Sequence, residues 1–270
     1  MQVYNQTDRR LHWLCQPIAK AGRSFAPPQD DDSHMNLYFD ALGERLSGRW
    51  IPLDKERVLL TLKLHTLEFE WVNDDFQVMA SCTSVGKTMA ELEEALAAHA
   101  QTLGLNTEGF KAPLNYDMPT YPFAQEAIQT IEQEALQHWM HYRKLANDAC
   151  TWVLGYWQIL GDIRIWPHHF DTGIFVYPTD QMGVGFGWAM QDQMCTEPYF
   201  YMAGYPKQGI IDYGEVPDLT KGVWCIHDEW SGATLPCSTL EAAEDKGQTK
   251  DQVISEFLRT PLKWYLQTPL

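Results

Sequence analysis

Basic residues are scarce: 20 lysines and arginines stand against 36 aspartates and glutamates, a formal net charge of −16. Such a chain repels phosphate backbones and anionic lipid headgroups, which argues against nucleic acid and membrane surfaces as partners. No uncharged apolar run reaches the roughly 18 residues needed to cross a bilayer, so no transmembrane helix is expected. The opening Met1-Gln-Val-Tyr-Asn-Gln-Thr-Asp-Arg-Arg10 lacks the basic-then-apolar order of a secretory signal, and a cytoplasmic location is the expectation. The six cysteines, Cys15, Cys82, Cys150, Cys195, Cys225 and Cys237, are scattered and include no C-x-x-C pair. They read as reduced thiols rather than a disulfide framework. The common reaction motifs are also missing. Val85-Gly-Lys-Thr88 imitates the end of a phosphate loop without its preceding glycine, no G-x-S-x-G elbow occurs, and Gly183-Val-Gly-Phe-Gly-Trp188 lies inside a strand pattern rather than at a strand-to-helix turn.

What is present is ample core material. At 45% hydrophobic and 13% aromatic, 270 residues can fill one large domain or two small ones. Leu11, Leu14, Ile18 and Ala21 predict a short helix interrupted by Pro17, and Met35, Leu37 and Phe39 alternate as in a half-buried strand. From Val58 to Trp71 the alternation changes phase, Leu60, Leu62 and Leu64 giving way to Leu67, Phe69 and Trp71, which predicts a bulge or bend near His65 and Thr66. Asn73-Asp-Asp75 signals a hairpin into a strand at 76–80, and Ser84 or Thr88 starts an amphipathic helix ending near Gly104. Residues 105–122, with Pro113, Pro119 and Pro122, form the candidate linker. A long helix, or two in line, follows over 123–160, then strands at about 163–177, 183–191, 198–205 and 222–230, then a helix near 250–266. Both halves read as helix, about four strands, helix. The predicted fold is therefore α+β, two antiparallel sheets flanked by helices in pseudo-repeated halves, 1–104 and 123–270.

The polar chemistry concentrates in Arg164-Ile-Trp-Pro-His-His-Phe-Asp-Thr-Gly-Ile-Phe-Val176. If this is one strand, alternation places His169 and Asp171 on one face, about 6 to 7 Å apart at Cα, with His168 on the core side. An imidazole beside a carboxylate can orient a general base or ligate a metal; the bland alternative is an aspartate bonded to backbone. Gly183, Gly185 and Gly187 share one face of the next strand, leaving backbone bare for a ligand or an aromatic ring. Tyr199, Tyr201 and Tyr205 alternate onto one side of the strand after that, either filling the glycine stripe or lining a cleft with their hydroxyls. Two weaker clusters are Glu134, His138 and His141 on the long helix, and Cys225, His227 and Glu229 near the C-terminus. The second could hold a thiolate or a soft metal, making His227 a further metal candidate alongside His169 and Asp171.

Leu11-His-Trp13 with the Lys20 region, Asn36-Leu-Tyr-Phe39, Tyr121-Pro-Phe-Ala124, Trp139, His168-His-Phe-Asp171 and Phe200-Tyr-Met-Ala-Gly-Tyr-Pro206 together resemble, in order and spacing, the bacterial family catalogued as domain of unknown function 5996. The resemblance spans roughly residues 11–206 and implies no activity, cofactor or catalytic residue. Two functions follow from the residues themselves. One is a cytosolic protein, enzyme or binder, with a small-molecule or metal site on the C-terminal sheet. The other is a non-catalytic interaction module that pairs as a homodimer through an aromatic face. The reaction, cofactor and substrate are not specified by any motif.

Overall fold

Pro17 starts a helix rather than kinking one. In the computed structural model, which describes residues 1–268, the N-terminal segment forms α1 (Gln2–Leu14) and α2 (Gln16–Phe25), with Pro17 in the first turn of the second. A proline there removes an amide that would have no helical acceptor and presets φ for the helix. Strands β1 (Tyr38–Asp40), β2 (Arg45–Ser47), β3 (Ile51–Pro52), β4 (Arg57–Lys63), β5 (Glu68–Asn73) and β6 (Val78–Thr83) then build an antiparallel sheet. Its order is β1-β2-β4-β5-β6, with β3 also on β4. The phase slip expected as a bulge or bend near His65 is a full hairpin turn: Leu67 takes φ 50°, and Leu60 and Leu62 pair across it with Trp71 and Phe69. A register shift does occur one strand over, between Trp71 and Val72 opposite β6. Thr88, not Ser84, caps α3 (Met89–Thr102): Thr88 Oγ1 accepts from the Glu91 amide and the Glu91 carboxylate accepts from the Thr88 amide. Ser84 is buried and donates to Leu67 O at 2.6 Å.

Two compact units alternate along the chain. The first comprises residues 2–141 and 164–170, the second 142–163 and 171–270 with Met1, of which 269 and 270 lie outside the described residues. The boundary thus falls inside α4 (Gln133–Trp157) rather than across residues 105–122. The return of the chain to the first unit is a two-residue strand, β7 (Arg164–Ile165), whose Ile165 exchanges both backbone hydrogen bonds with Leu37.

In the second unit β8 (Thr172–Val176), β9 (Met182–Ala189), β10 (Tyr199–Pro206), β11 (Val223–Ile226) and β12 (Ser231–Pro236) are antiparallel in the order β11-β12-β10-β9-β8. The single strand expected at 222–230 is in fact the β11–β12 hairpin, and α5 (Cys237–Glu244), which the sequence reading did not anticipate, precedes α6 (Lys250–Gln267). Directly opposed residues share a face, so Ile174, Phe186, Met202 and Ala233 line one side. That side meets the helices. Trp188 stacks on Tyr142 of α4, Trp224 meets Trp264 of α6 edge-on, and the Tyr265 hydroxyl donates to Met202 O at 3.2 Å.

Candidate functional site

The opposite side of this sheet carries the residues singled out from the sequence. Gly173, Gly187 and Tyr201 are opposed across three strands, as are Phe175, Gly185 and Ala203. The glycine stripe is filled rather than open. A Cβ added at Gly185 would lie 3.3 Å from Tyr205 Cε2, and one at Gly183 would lie 2.8 Å from Phe175 Cζ. Gly187 serves a tighter purpose, since its Cβ would stand 2.4 Å from Thr172 O, where β8 and β9 approach too closely for any side chain. The rings over the stripe keep solvent on their outer faces: Phe175, Tyr177 and Tyr205 are 37%, 46% and 43% exposed. Lys207 Nζ stands 4.6 Å above the Tyr177 ring.

Within the second unit the predicted site residues separate into two polar pairs. The hydroxyl of the half-buried Tyr201 donates to Oδ2 of the buried Asp171 at 2.5 Å. Burial and then the Asp171 charge raise the Tyr201 phenol well above its usual range, so it remains a donor. Tyr199 donates instead to Asp192 Oδ2 at 2.7 Å, while Asp192 Oδ1 accepts the amides of Met194 and Cys195. Tyr199 therefore anchors the β9–β10 loop.

His169 does not share a strand face with Asp171. Residues 167–169 form a turn, Phe170 takes φ 56°, and β8 begins only at Thr172. The alternation argument fails because one left-handed residue resets the phase between the histidine and the aspartate. His169 is exposed in the first unit, with its ring centroid 4.3 Å from that of the half-buried His168. Burial, then the neighbouring His169, lowers the His168 pKa to about 4.

The same turn contributes to a buried cluster in the first unit. His12 Nε2 faces Pro167 O at 2.9 Å, an oxygen that can only accept, so in the neutral ring Nδ1 accepts the Tyr121 hydroxyl at 2.8 Å. The His12 ring stacks on Phe170, Phe170 on Trp139, and Trp139 meets Phe39 edge-on while donating to Asp8 Oδ1 at 2.7 Å. His12, Phe39, Tyr121, Trp139 and Phe170 thus belong to one packed cluster.

The remaining candidates are dispersed. Cys225 Sγ lies 3.2 Å from Thr234 Oγ1, whereas His227 and Glu229 are exposed in the β11–β12 turn, off the strand face expected for them. On α4, His138 sets its ring against the Tyr4 edge, while Glu134 and His141 are exposed. Among the described residues no group of three or more His, Cys, Asp or Glu side chains is placed to hold a metal ion.

The site missed from the sequence is a groove of about 800 Å³ between α4 and α6 in the second unit. Ala149, Ile254 and Leu258 are among its apolar lining; Asp148, Trp152, Asp251, Ser255, Glu256 and Arg259 supply aromatic, polar and charged groups. Trp152 is 43% exposed and stacks on Tyr156. The signal was available: Asp148 and Trp152 are four apart on α4, as are Asp251, Ser255 and Arg259 on α6, and Trp152 falls off the apolar stripe of its helix. No protein-family model matches the chain, and neither a curated protein nor a solved structure matches it.

Proposed function

We propose that the protein is a non-catalytic binder of small organic cations, seated in the α4–α6 groove. The observation that carries this is the groove itself: its volume of about 800 Å³ lies within the roughly 300–1,000 Å³ of small-molecule sites, and it has an exposed indole in its wall. Three carboxylates, Asp148, Asp251 and Glu256, outnumber the single Arg259 in its lining, and a cation against Trp152 gains about 0.5–2 kcal/mol from the ring face. The Lys144–Asp148 pair at the rim is solvent-exposed, so a ligand displaces it at little cost. Burial raises the Cys150 thiol and pushes Cys237 up to about 12, so these two thiols stay protonated and are poor nucleophiles at neutral pH.

The test is calorimetric titration with tetramethylammonium, choline and 1,4-diaminobutane. Saturable binding by at least one, weakened about fivefold or more by Trp152→Ala and also by Asp251→Asn, is expected. Absence of heat with all three, or binding indifferent to Trp152→Ala, removes the proposal. The aromatic-face alternative keeps one observation in its favour, the exposed Phe175, Tyr177 and Tyr205 rings; it predicts that Phe175→Ser changes the oligomeric state.

A further inference from the structure

β6 is the last strand of the first sheet. It pairs with β5 on one side, and among the described residues no strand pairs with the other. An edge strand of this kind leaves a row of backbone donors and acceptors open to another chain, and proteins ordinarily protect such edges by shortness, charge or proline. The edge at the far end of this sheet is protected in that way: β1 is three residues long and its Asp40 is paired with Arg45. β6 has none of these devices except the register shift at its start. It is six residues, about 20 Å at the rise of an extended strand. From Phe76 to Gly86 there is neither a charged residue nor a proline, in a chain with 36 acidic and 20 basic residues. Val78 and Met79 are 52% and 42% exposed, Ser81 and Thr83 are exposed as well, and Phe76 stands out at the preceding turn at 82%.

We propose that β6 pairs antiparallel with β6 of a second copy of this chain about a two-fold axis, joining the two first-unit sheets into one. The charges that bracket the strand select this occupant and this direction. Asp74 and Asp75 precede the uncharged stretch and Lys87 follows it. An antiparallel pairing centred on Ser81 sets the acidic end of each copy against the basic end of the other, Asp75 opposite Lys87, whereas a parallel pairing sets like against like. The centre is small, Ser81 opposite its own copy, and the flanking pairs Ala80 with Cys82 and Met79 with Thr83 bring no like charges together. A two-fold contact is also self-limiting, because each copy uses the outer edge of β6 and no further copy can add to that edge. The pairing is independent of the groove on α4 and α6, which belongs to the second unit.

Mass by light scattering across the micromolar range, with hydrogen exchange, tests this. The wild type is expected to reach twice the chain mass as concentration rises, with the Val78–Thr83 amides gaining protection in step. Ser81→Lys and Thr83→Lys, both at exposed edge positions, should hold the protein at the single-chain mass with an unchanged circular dichroism spectrum. Lys87→Asp should weaken the pairing, and Asp75→Lys added to it should restore it, a rescue that no folding defect reproduces. Phe175→Ser should leave the mass unchanged. A wild type that stays at the single-chain mass throughout overturns the proposal, and so does a dimer that survives Ser81→Lys or is dissolved by Phe175→Ser. Should both lysine variants misfold, concentration-independent exchange at Val78–Thr83 in the wild type overturns it equally.

Discussion

Asp171 is held by a phenol, and that decides what the residue is for. A hydrogen bond to a buried carboxylate contributes about 1.5–3 kcal/mol, and removing the donor leaves part of the desolvation cost of the charge unmet. Tyr201→Phe should therefore lower unfolding free energy by about that amount, read from urea denaturation. Asp171→Asn should cost less, because its amide oxygen still accepts from Tyr201. A Tyr201→Phe protein as stable as the wild type assigns the pair to something other than structure. His168 gives a pH dependence whose sign is fixed. Its ordinary value of 6.5 falls to about 4 in the folded protein, so between those values the unfolded chain binds the extra proton. Stability from this group is complete above pH about 6.5 and is lost as the pH falls toward about 4. Carboxylates titrate in the same acid range, so the measurement is a comparison. The stability difference between wild type and His168→Gln should shift against the wild type as the pH drops through that window. A difference that stays constant with pH contradicts the burial assigned to the ring.

Strand and helix existence was legible because period and punctuation agreed: the helix start left between Ser84 and Thr88 is a capping box of Thr88 with Glu91, and β9 and β10 appear within a residue or two of the alternation that predicts them. What was not legible turned on single left-handed residues. Leu67 at φ 50° and Phe170 at φ 56° each reset a strand's phase, and neither residue type signals that conformation. The cost was larger at Phe170, because the pairing of His169 with Asp171 depended on an unbroken strand. The glycines were legible as a stripe but not as to purpose. Close approach of β8 and β9 explains Gly187, while aromatic rings cover Gly183 and Gly185. Accordingly Gly187→Ala should destabilise by about 1–3 kcal/mol or more, since its methyl meets backbone that cannot yield, and Gly185→Ala should cost less, since a tyrosine ring can shift. Equal melting temperatures for the two variants would refute that division.

At the scale of the whole molecule the governing quantity is the charge of −16, and the structure shows where the few cations go. Lys20 binds Glu93, Lys63 binds Glu70 and Arg57 binds Asp74. Arg10 donates to the carbonyls of Gln129 and Thr130, and Arg23 to those of Gly109, Phe110, Ala112 and Pro113. These side chains are committed to their own unit's backbone and carboxylates, so they do not gather into a field that could displace the counterions of a nucleic acid. The same excess of carboxylates that would favour a small cation at the proposed α4–α6 site offers no basic field to a polyanion. Fluorescence anisotropy with a labelled DNA duplex and a single-stranded RNA should therefore remain flat with added protein at physiological salt. Lowering the salt should not rescue binding, because weaker screening strengthens the repulsion as well. A micromolar curve that weakens steeply as salt is raised would demand several phosphate contacts. Since log affinity falls by about 0.9 per neutralised phosphate per decade of salt, its slope would count the cations that had been left free to make them.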